Sequence, residues 1–349
     1  MALLFIDGFD AYGTDGVQIA AAMQSALYEF TEAVFASSDT RTGYGFSCHL
    51  RQDFPGQGQG QLNLATTLVS EFIIGFSAKV EGNGFFPLVE FYRDDLLGHV
   101  APQCYLAVNG VAGLSLVNGT GALIGASSPN VFFPDSHQYL EIKIVFGGSG
   151  SVEVRVDGAT VISVPLGSTI GGGQPGFANV IQWNAGGATD YLIDDLYVCD
   201  GTGASFNDFL GDCAVHTVFP IADAGPNTMT QFGGGAGHYT DVGEVTPDDD
   251  ATYLFSNTSG QQEMFSIGAL PIDIIDVLAV AVCARAKKSA AGTANYQLVA
   301  NSGGVETDGP VLPTNVGYIT RNMIMTTAPG GGGWTKTAAQ ALLIGAKIP

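Results

Sequence analysis

Tyr139-Leu-Glu-Ile-Lys-Ile-Val-Phe146, Gly147-Gly-Ser-Gly150, Ser151-Val-Glu-Val-Arg-Val-Asp157 and Gly158 run on without a break, and they decide the fold. Leu140, Ile142, Ile144 and Phe146 fall on one face of an extended chain, with Glu141 and Lys143 opposite. Side chains of a strand alternate between its faces, so this spacing marks a half-buried β-strand. The Gly-rich turn reverses the chain, and Val152, Val154 and Val156 resume the alternation. Asp157-Gly158 suits a type I′ turn, whose two central residues need positive φ. Val161-Ile-Ser-Val164 adds a third strand and completes a meander.

Strands of the same kind are predicted to either side, at residues 3–9, 46–50, 70–80, 86–92, 103–108, 114–117, 180–183 and 191–198. That density of short strands is the spacing of a sandwich. One interruption is predicted to be helical, residues 17–35, where Ile19, Met23, Leu27, Phe30 and Val34 recur at three- and four-residue intervals. Loop chemistry at 201–213 predicts a linker, and 214–349 a second β-rich domain. Its strands are expected at 214–219, 251–255, 276–286, 295–300 and 317–325. Residues 334–345 read as a short terminal helix, capped by Thr335 or Thr337 and ended by Gly345. The predicted class is all-β: a jelly-roll sandwich over 1–200, then a smaller β-sandwich-like domain with a C-terminal helix.

The composition agrees, with 46% hydrophobic residues, 13% charged and 49 glycines, as expected of strands joined by tight turns. Net charge is −21, from 33 acidic and 12 basic residues. Nucleic acid is thereby disfavoured as a partner, because neutralising phosphates takes clustered Lys and Arg. Anionic membrane surfaces are disfavoured for the same reason, and the longest apolar run, residues 277–284, is far short of a span. The five cysteines, Cys48, Cys104, Cys199, Cys213 and Cys283, form no Cys-x-x-Cys and no disulfide framework, so reduced thiols are expected. The opening Met1-Ala-Leu-Leu-Phe-Ile-Asp7 has no basic n-region, and no signal peptide is expected.

The search for chemistry returns little. Glycosidases of jelly-roll shape carry two or three carboxylates on one strand face, as Glu-x-Asp-x-x-Glu or Glu-x-Asp-x-Glu, and neither pattern occurs. Glu153, Arg155 and Asp157 share a face but read as a cross-strand surface. Asp194-Asp195 lies inside the strand at 191–198, where one carboxylate turns inward. It is a candidate ligand pair for structural Ca²⁺ or a glycan; the alternative is an Asp bonded to a neighbouring loop's N–H groups. Asp94-Asp95 and Asp248-Asp-Asp250 read as turns, as do Gly171-Gly-Gly173, Gly233-Gly-Gly235 and Gly330–Gly333. His49, His99, His137, His216 and His238 are dispersed, with no zinc-hydrolase spacing. No catalytic set and no cofactor beyond structural Ca²⁺ are expected. Trp183 and Tyr191 are candidate sugar-stacking aromatics, with core packing as the competing role.

Residues 1–200 resemble the laminin-G-like, or concanavalin-like, jelly-roll domains of tailed-bacteriophage virion proteins. The resemblance rests on Leu3-Leu-Phe-Ile-Asp-Gly-Phe-Asp10, Arg41-Thr-Gly-Tyr-Gly-Phe46, the meander, and Tyr191-Leu-Ile-Asp-Asp-Leu-Tyr-Val198. It continues through Asn207-Asp-Phe-Leu-Gly-Asp-Cys-Ala-Val215, Pro247-Asp-Asp-Asp-Ala-Thr-Tyr253 and Trp334-Thr335. It implies a non-enzymatic virion structural protein, attached to tail or head and homo-oligomeric. Its partners would be other virion subunits and host surface glycans. A capsid decoration protein and a polysaccharide depolymerase are the alternatives. Shared scaffold carries no site residue across.

Overall fold

Leu140 faces Val156, Ile142 faces Val154 and Ile144 faces Val152 in the computed structural model, so the meander pairs as its alternation predicts. Asp157 and Gly158 both have positive φ, 48° and 77°, as a type I′ turn requires. The structure describes residues 3–14, 16, 17, 19–51, 61–81, 86–93, 103–170, 176–185 and 190–349. The predicted turns at Asp94-Asp95 and Gly171–Gly173, and His99, lie outside these. Two units divide the chain, Met1–Val215 and His216–Pro349.

The first unit contains, in chain order, β1 (Leu3–Asp7), α1 (Ala20–Ser25), β2 (Tyr28–Glu32), β3 (Val34–Ser37), β4 (Ser47–Leu50), β5 (Gln61–Val69), β6 (Glu71–Glu81), β7 (Phe86–Tyr92) and β8 (Cys104–Val108). It continues with β9 (Leu114–Asn118), β10 (Leu123–Ala126), β11 (Gln138–Val145), β12 (Gly150–Val156), β13 (Ala159–Gly167), β14 (Ala178–Asn184) and β15 (Asp190–Cys199). One sheet has the order β13-β12-β11-β6-β15-β4-β3, with β1 also on β15; the other runs β10-β9-β8-β7-β14-β5-β2. Their inner faces meet in one core. Phe72 of the first sheet lies 6.0 Å from Phe91 of the second, and Phe76 meets Trp183 edge-on at 5.8 Å. The fold is an antiparallel β-sandwich of jelly-roll kind, as the sequence predicts.

The helix predicted over 17–35 is corrected to a single turn-and-a-half, α1, followed by β2 and β3. Ile19 and Met23 are buried as a helix face would have them. Beyond them the chain is captured by the sheets: β2 pairs with β5 at one sheet's edge and β3 with β4 at the other's. Ala33, fully buried at φ 49°, is the corner between them. Here ladder pairing with distant strands overrides a local helical pattern.

Residues 201–213, read as a linker, run along the first unit. Gly211 N–H donates to Glu141 at 2.8 Å, Lys143 Nζ to Asp208 at 3.2 Å, and the Arg155 guanidinium lies 4.0 Å from the Phe209 ring. Residues 214–219 form no strand.

The second unit contains β16 (Pro220–Asn227), β17 (Thr230–Phe232), β18 (Tyr253–Phe255), β19 (Gln262–Ile267), β20 (Val280–Ala286), β21 (Asn295–Ser302), β22 (Val305–Asp308), β23 (Leu312–Pro313), β24 (Ile319–Met325), α2 (Lys336–Gln340) and β25 (Leu343–Lys347). Its main sheet is β16-β19-β25-β21-β22, with β23 on β21; β17-β18 and β20-β24 are two-stranded. Thr335 caps α2 by accepting from Ala338 N–H at 3.1 Å. The predicted continuation to Gly345 is corrected: residues 343–347 are the sheet's central strand, between β19 and β21. Gly345 is no helix cap there. A Cβ on it would lie 1.8 Å from the Glu263 carbonyl oxygen, so glycine lets β25 close on β19. Among the described residues no helix is long and apolar enough to cross a membrane.

Candidate functional site

The aromatic candidates belong to the core. Trp183 and Tyr191 are both fully buried. Trp183 packs on Phe76, and the Tyr191 hydroxyl crosses the sandwich to the Leu88 carbonyl at 3.1 Å. Neither ring presents a face to a sugar; the strand period places both inward, and the expectation of stacking is corrected.

The carboxylate pair is likewise structural. A bulge interrupts β15 between Asp194 and Tyr197, with Asp195 at φ 54°. The bulge aims the two carboxylates differently. Asp195 accepts from Val215 N–H at 2.7 Å and from Arg41 Nε at 3.0 Å. Arg41 also bonds Asp212 and the Cys213 carbonyl, and lies 4.8 Å from the Tyr139 ring. Asp194 accepts from Asp195 N–H at 2.8 Å. Burial, with the neighbouring Asp195 charge second, pushes its carboxyl up to about 9. Asp195 is held by Arg41 and a backbone N–H, so a cation already balances the carboxylate that Ca²⁺ would need, and the pair does not fit that ion. Among the described residues no group of three or more His, Cys, Asp or Glu is placed to hold a metal. The alternative reading of Asp194-Asp195, a carboxylate bonded to a neighbouring loop's N–H, is the one the structure contains.

The raised Asp194 carboxyl sets a pH dependence. Its folded value exceeds the unfolded one, so its contribution is complete below about pH 4 and is lost as pH rises towards about 9. Asp194→Asn, which does not titrate, is therefore expected to gain on the natural protein as pH rises, by about 1–3 kcal/mol between mildly acidic and mildly alkaline solution. Urea midpoints across that range check this; a difference independent of pH would refute it.

A different set of residues forms a coherent polar surface. In the seven-stranded sheet Leu62, Leu64, Phe91, Cys104, Leu106, Ile181 and Trp183 face the core. Strand alternation turns the intervening residues to the outer face. One row across that face is Tyr105, Glu90, Gln182 and Asn63, each directly opposite the next on neighbouring strands. Asn184 opposes Gln61 two positions along. Gln103, whose N–H donates to the Phe91 carbonyl at 2.7 Å, precedes β8 on the same side, level with Tyr92. Gln182 Nε2 donates to Glu90 at 2.9 Å, Gln61 Nε2 donates to Asn63 Oδ1 at 3.3 Å, and Tyr92 bonds both Glu90 and Gln182. Burial raises the Glu90 carboxyl, and it raises the Tyr92 phenol.

This network is incomplete. Asn63 Nδ2, both side-chain polar atoms of Gln103, and Asn184 Oδ1 are buried without a hydrogen-bond partner. Such atoms each cost about 1–3 kcal/mol, and native proteins hold few of them. All four lie beneath the face, with no surface of their own open to solvent. Around them Gln61, Glu90, Tyr92, Tyr105 and Asn184 are partly exposed. Chemically the face offers amides, phenols and one carboxyl that burial makes a weaker acid. These groups bind hydroxyls, and Glu90 with Tyr92 also has the makings of a proton-transfer pair.

No protein-family model matches the chain, and no curated protein matches it. Among solved structures it is similar to the alginate lyase Aly36B bound to an alginate tetrasaccharide, at 10% identity and TM-score 0.39 over 56% of this chain and 96% of the lyase. It is similar to an endo-β-1,4-glucuronan lyase from the fungus Trichoderma reesei, at 12% identity and TM-score 0.36 over 49% and 88%. The lumenal domain of VIP36 in its Ca²⁺/Man3GlcNAc-bound form gives 12% identity and TM-score 0.35 over 51% and 85%. All three bind or act on carbohydrate. At these values the likeness stays within part of the chain and says nothing of its activity.

Proposed function

We propose that this chain is a non-enzymatic virion protein of a tailed bacteriophage that binds host surface glycan across the outer face of its first unit's seven-stranded sheet. The observation that carries the binding surface is the Glu90–Tyr92–Gln182 network, flanked on the same face by the partly exposed Tyr105 and Gln61. Planar amides flanked by tyrosines are the groups that bind sugar hydroxyls and ring faces. A single such site binds weakly. Symmetric copies on one particle raise avidity by about 10²–10⁴, which makes a weak lectin effective. The virion setting is supported by the order of motifs along the chain and by an acidic chain with five free cysteines.

Binding is tested with the full chain against host polysaccharide by calorimetric titration. Gln182→Leu is expected to weaken it about tenfold or more, because it removes a donor from the face and leaves Glu90 with Tyr92 alone. A melting temperature within a few degrees of the natural protein shows that the variant folds. Unchanged affinity would remove the face from the reading. Mass spectrometry and antibody labelling of intact particles test the setting. Labelled tails support it, labelled capsid faces select the decoration role instead, and absence from particles refutes it.

The raised carboxyl of Glu90 against Tyr92 favours one rival, a depolymerase using them as acid and base. Retaining and inverting glycosidases use two carboxylates, and Glu90's row continues into Gln182, Asn63 and Tyr105 instead. Sustained release of oligosaccharides, abolished by Glu90→Gln, would establish that rival.

A further inference from the structure

Resting on the glycan-binding reading of this face, we infer that its ligand is an uncharged, hydroxyl-rich polysaccharide, and that Glu90 excludes uronates and other anionic sugars. Two observations converge on it. First, the seven strands of the sheet, β2, β5, β7, β8, β9, β10 and β14, contain no lysine and no arginine. Recognition of a sugar carboxylate draws on charge-assisted bonds, with arginine the preferred partner. In the other sheet Lys79, Lys143 and Arg155 lie on strands, so the deficit belongs to this sheet rather than to the fold.

Second, Glu90 stands mid-row between Tyr105 and Gln182, and its hydrogen-bond partners Gln182 and Tyr92 are neutral. A second carboxylate brought onto the row meets a like charge at a partly desolvated surface, where repulsion is only weakly screened.

Calorimetric titration of the full chain with a neutral glucan or mannan oligosaccharide, and with an oligouronate of equal length, tests this at neutral pH and low salt. The neutral chain is expected to bind about tenfold or more tightly. The uronate's weak affinity is expected to rise in high salt, a measurement that needs no variant. Glu90→Gln, close in shape, is expected to raise uronate affinity about fivefold or more by removing the like charge. Uronate binding equal to or tighter than neutral binding would overturn the inference while leaving the glycan reading intact. Failure of both sugars to bind would overturn the reading beneath it as well.

Discussion

Trp183→Ala is expected to lower the unfolding free energy of the first unit by about 3–5 kcal/mol, the range for truncating a large buried aromatic. The indole is fully buried, lies edge-on to Phe76 at 5.8 Å, and sits in a strand whose core-facing neighbours come from both sheets. Its removal opens a cavity where β-strands on either side cannot collapse independently, because each is pinned by its ladder. Trp183→Phe separates cavity from chemistry. The indole N–H is buried with no partner, so phenylalanine keeps ring contact and removes an unsatisfied donor. Its cost is expected to be less than about 1.5 kcal/mol. Scanning calorimetry of the full chain, in which the unit's transition moves about 2–4 °C per kcal/mol, measures both. The decisive contrast is with glycan binding measured at a temperature where each variant is folded. Lost binding without lost stability in Trp183→Ala would return this ring to the ligand and undo its assignment to the core.

How far the sequence foretold this can be judged from particular residues. Leu140 to Val156 specified their own register, because every second side chain had a single buried face to occupy and a one-residue slip would expose them all. The 17–35 stretch misled for a related reason. Ile19, Met23 and Leu27 fit a helix, but the corner at Ala33 depends on β4 and β5, which lie far along the chain. Residues 343–347 misled in the same way, since a central strand is made by its two partners and not by its own propensity. Trp183 and Tyr191 drew notice as aromatics, although strand phase alone turns Trp183 into the core beside Ile181.

The polar face was legible but unread. Gln61-Leu-Asn63-Leu64 and Gln182-Trp-Asn184 each place amides at alternate positions against apolar residues, and Glu90-Phe-Tyr92 does the same. Such triplets in strands whose other face is aliphatic signal an outer face built for hydrogen bonding rather than for bare solvent. What no single stretch reveals is that β8, β7, β14 and β5 are neighbours, and so that these residues share one surface. That adjacency is a property of topology, set by long-range pairing.

Arg41→Met is expected to cost about 3–5 kcal/mol, the loss seen when one partner of a buried ion pair is removed. The Asp195 side chain is 2% exposed and that of Arg41 18%, so the pair is shielded from water far more than a surface bridge. Without the guanidinium, Asp195 keeps the Val215 N–H and the Asp194 carboxyl beside it but loses the Arg41 charge that balances its own. The same substitution frees Asp212 and the Cys213 carbonyl, which Arg41 ties to the sheet, so loosening of residues 207–213 accompanies the loss. A double-mutant cycle apportions the effect. Arg41→Met with Asp195→Leu removes both charges, and the pair of changes is expected to destabilise less than Arg41→Met alone, because the uncompensated carboxylate is gone. Urea unfolding of the three variants supplies the numbers. A loss below about 1 kcal/mol for Arg41→Met would class the contact with exposed ion pairs. The bulge at Asp194-Asp195 would then owe its shape chiefly to backbone bonding, the Val215 N–H included.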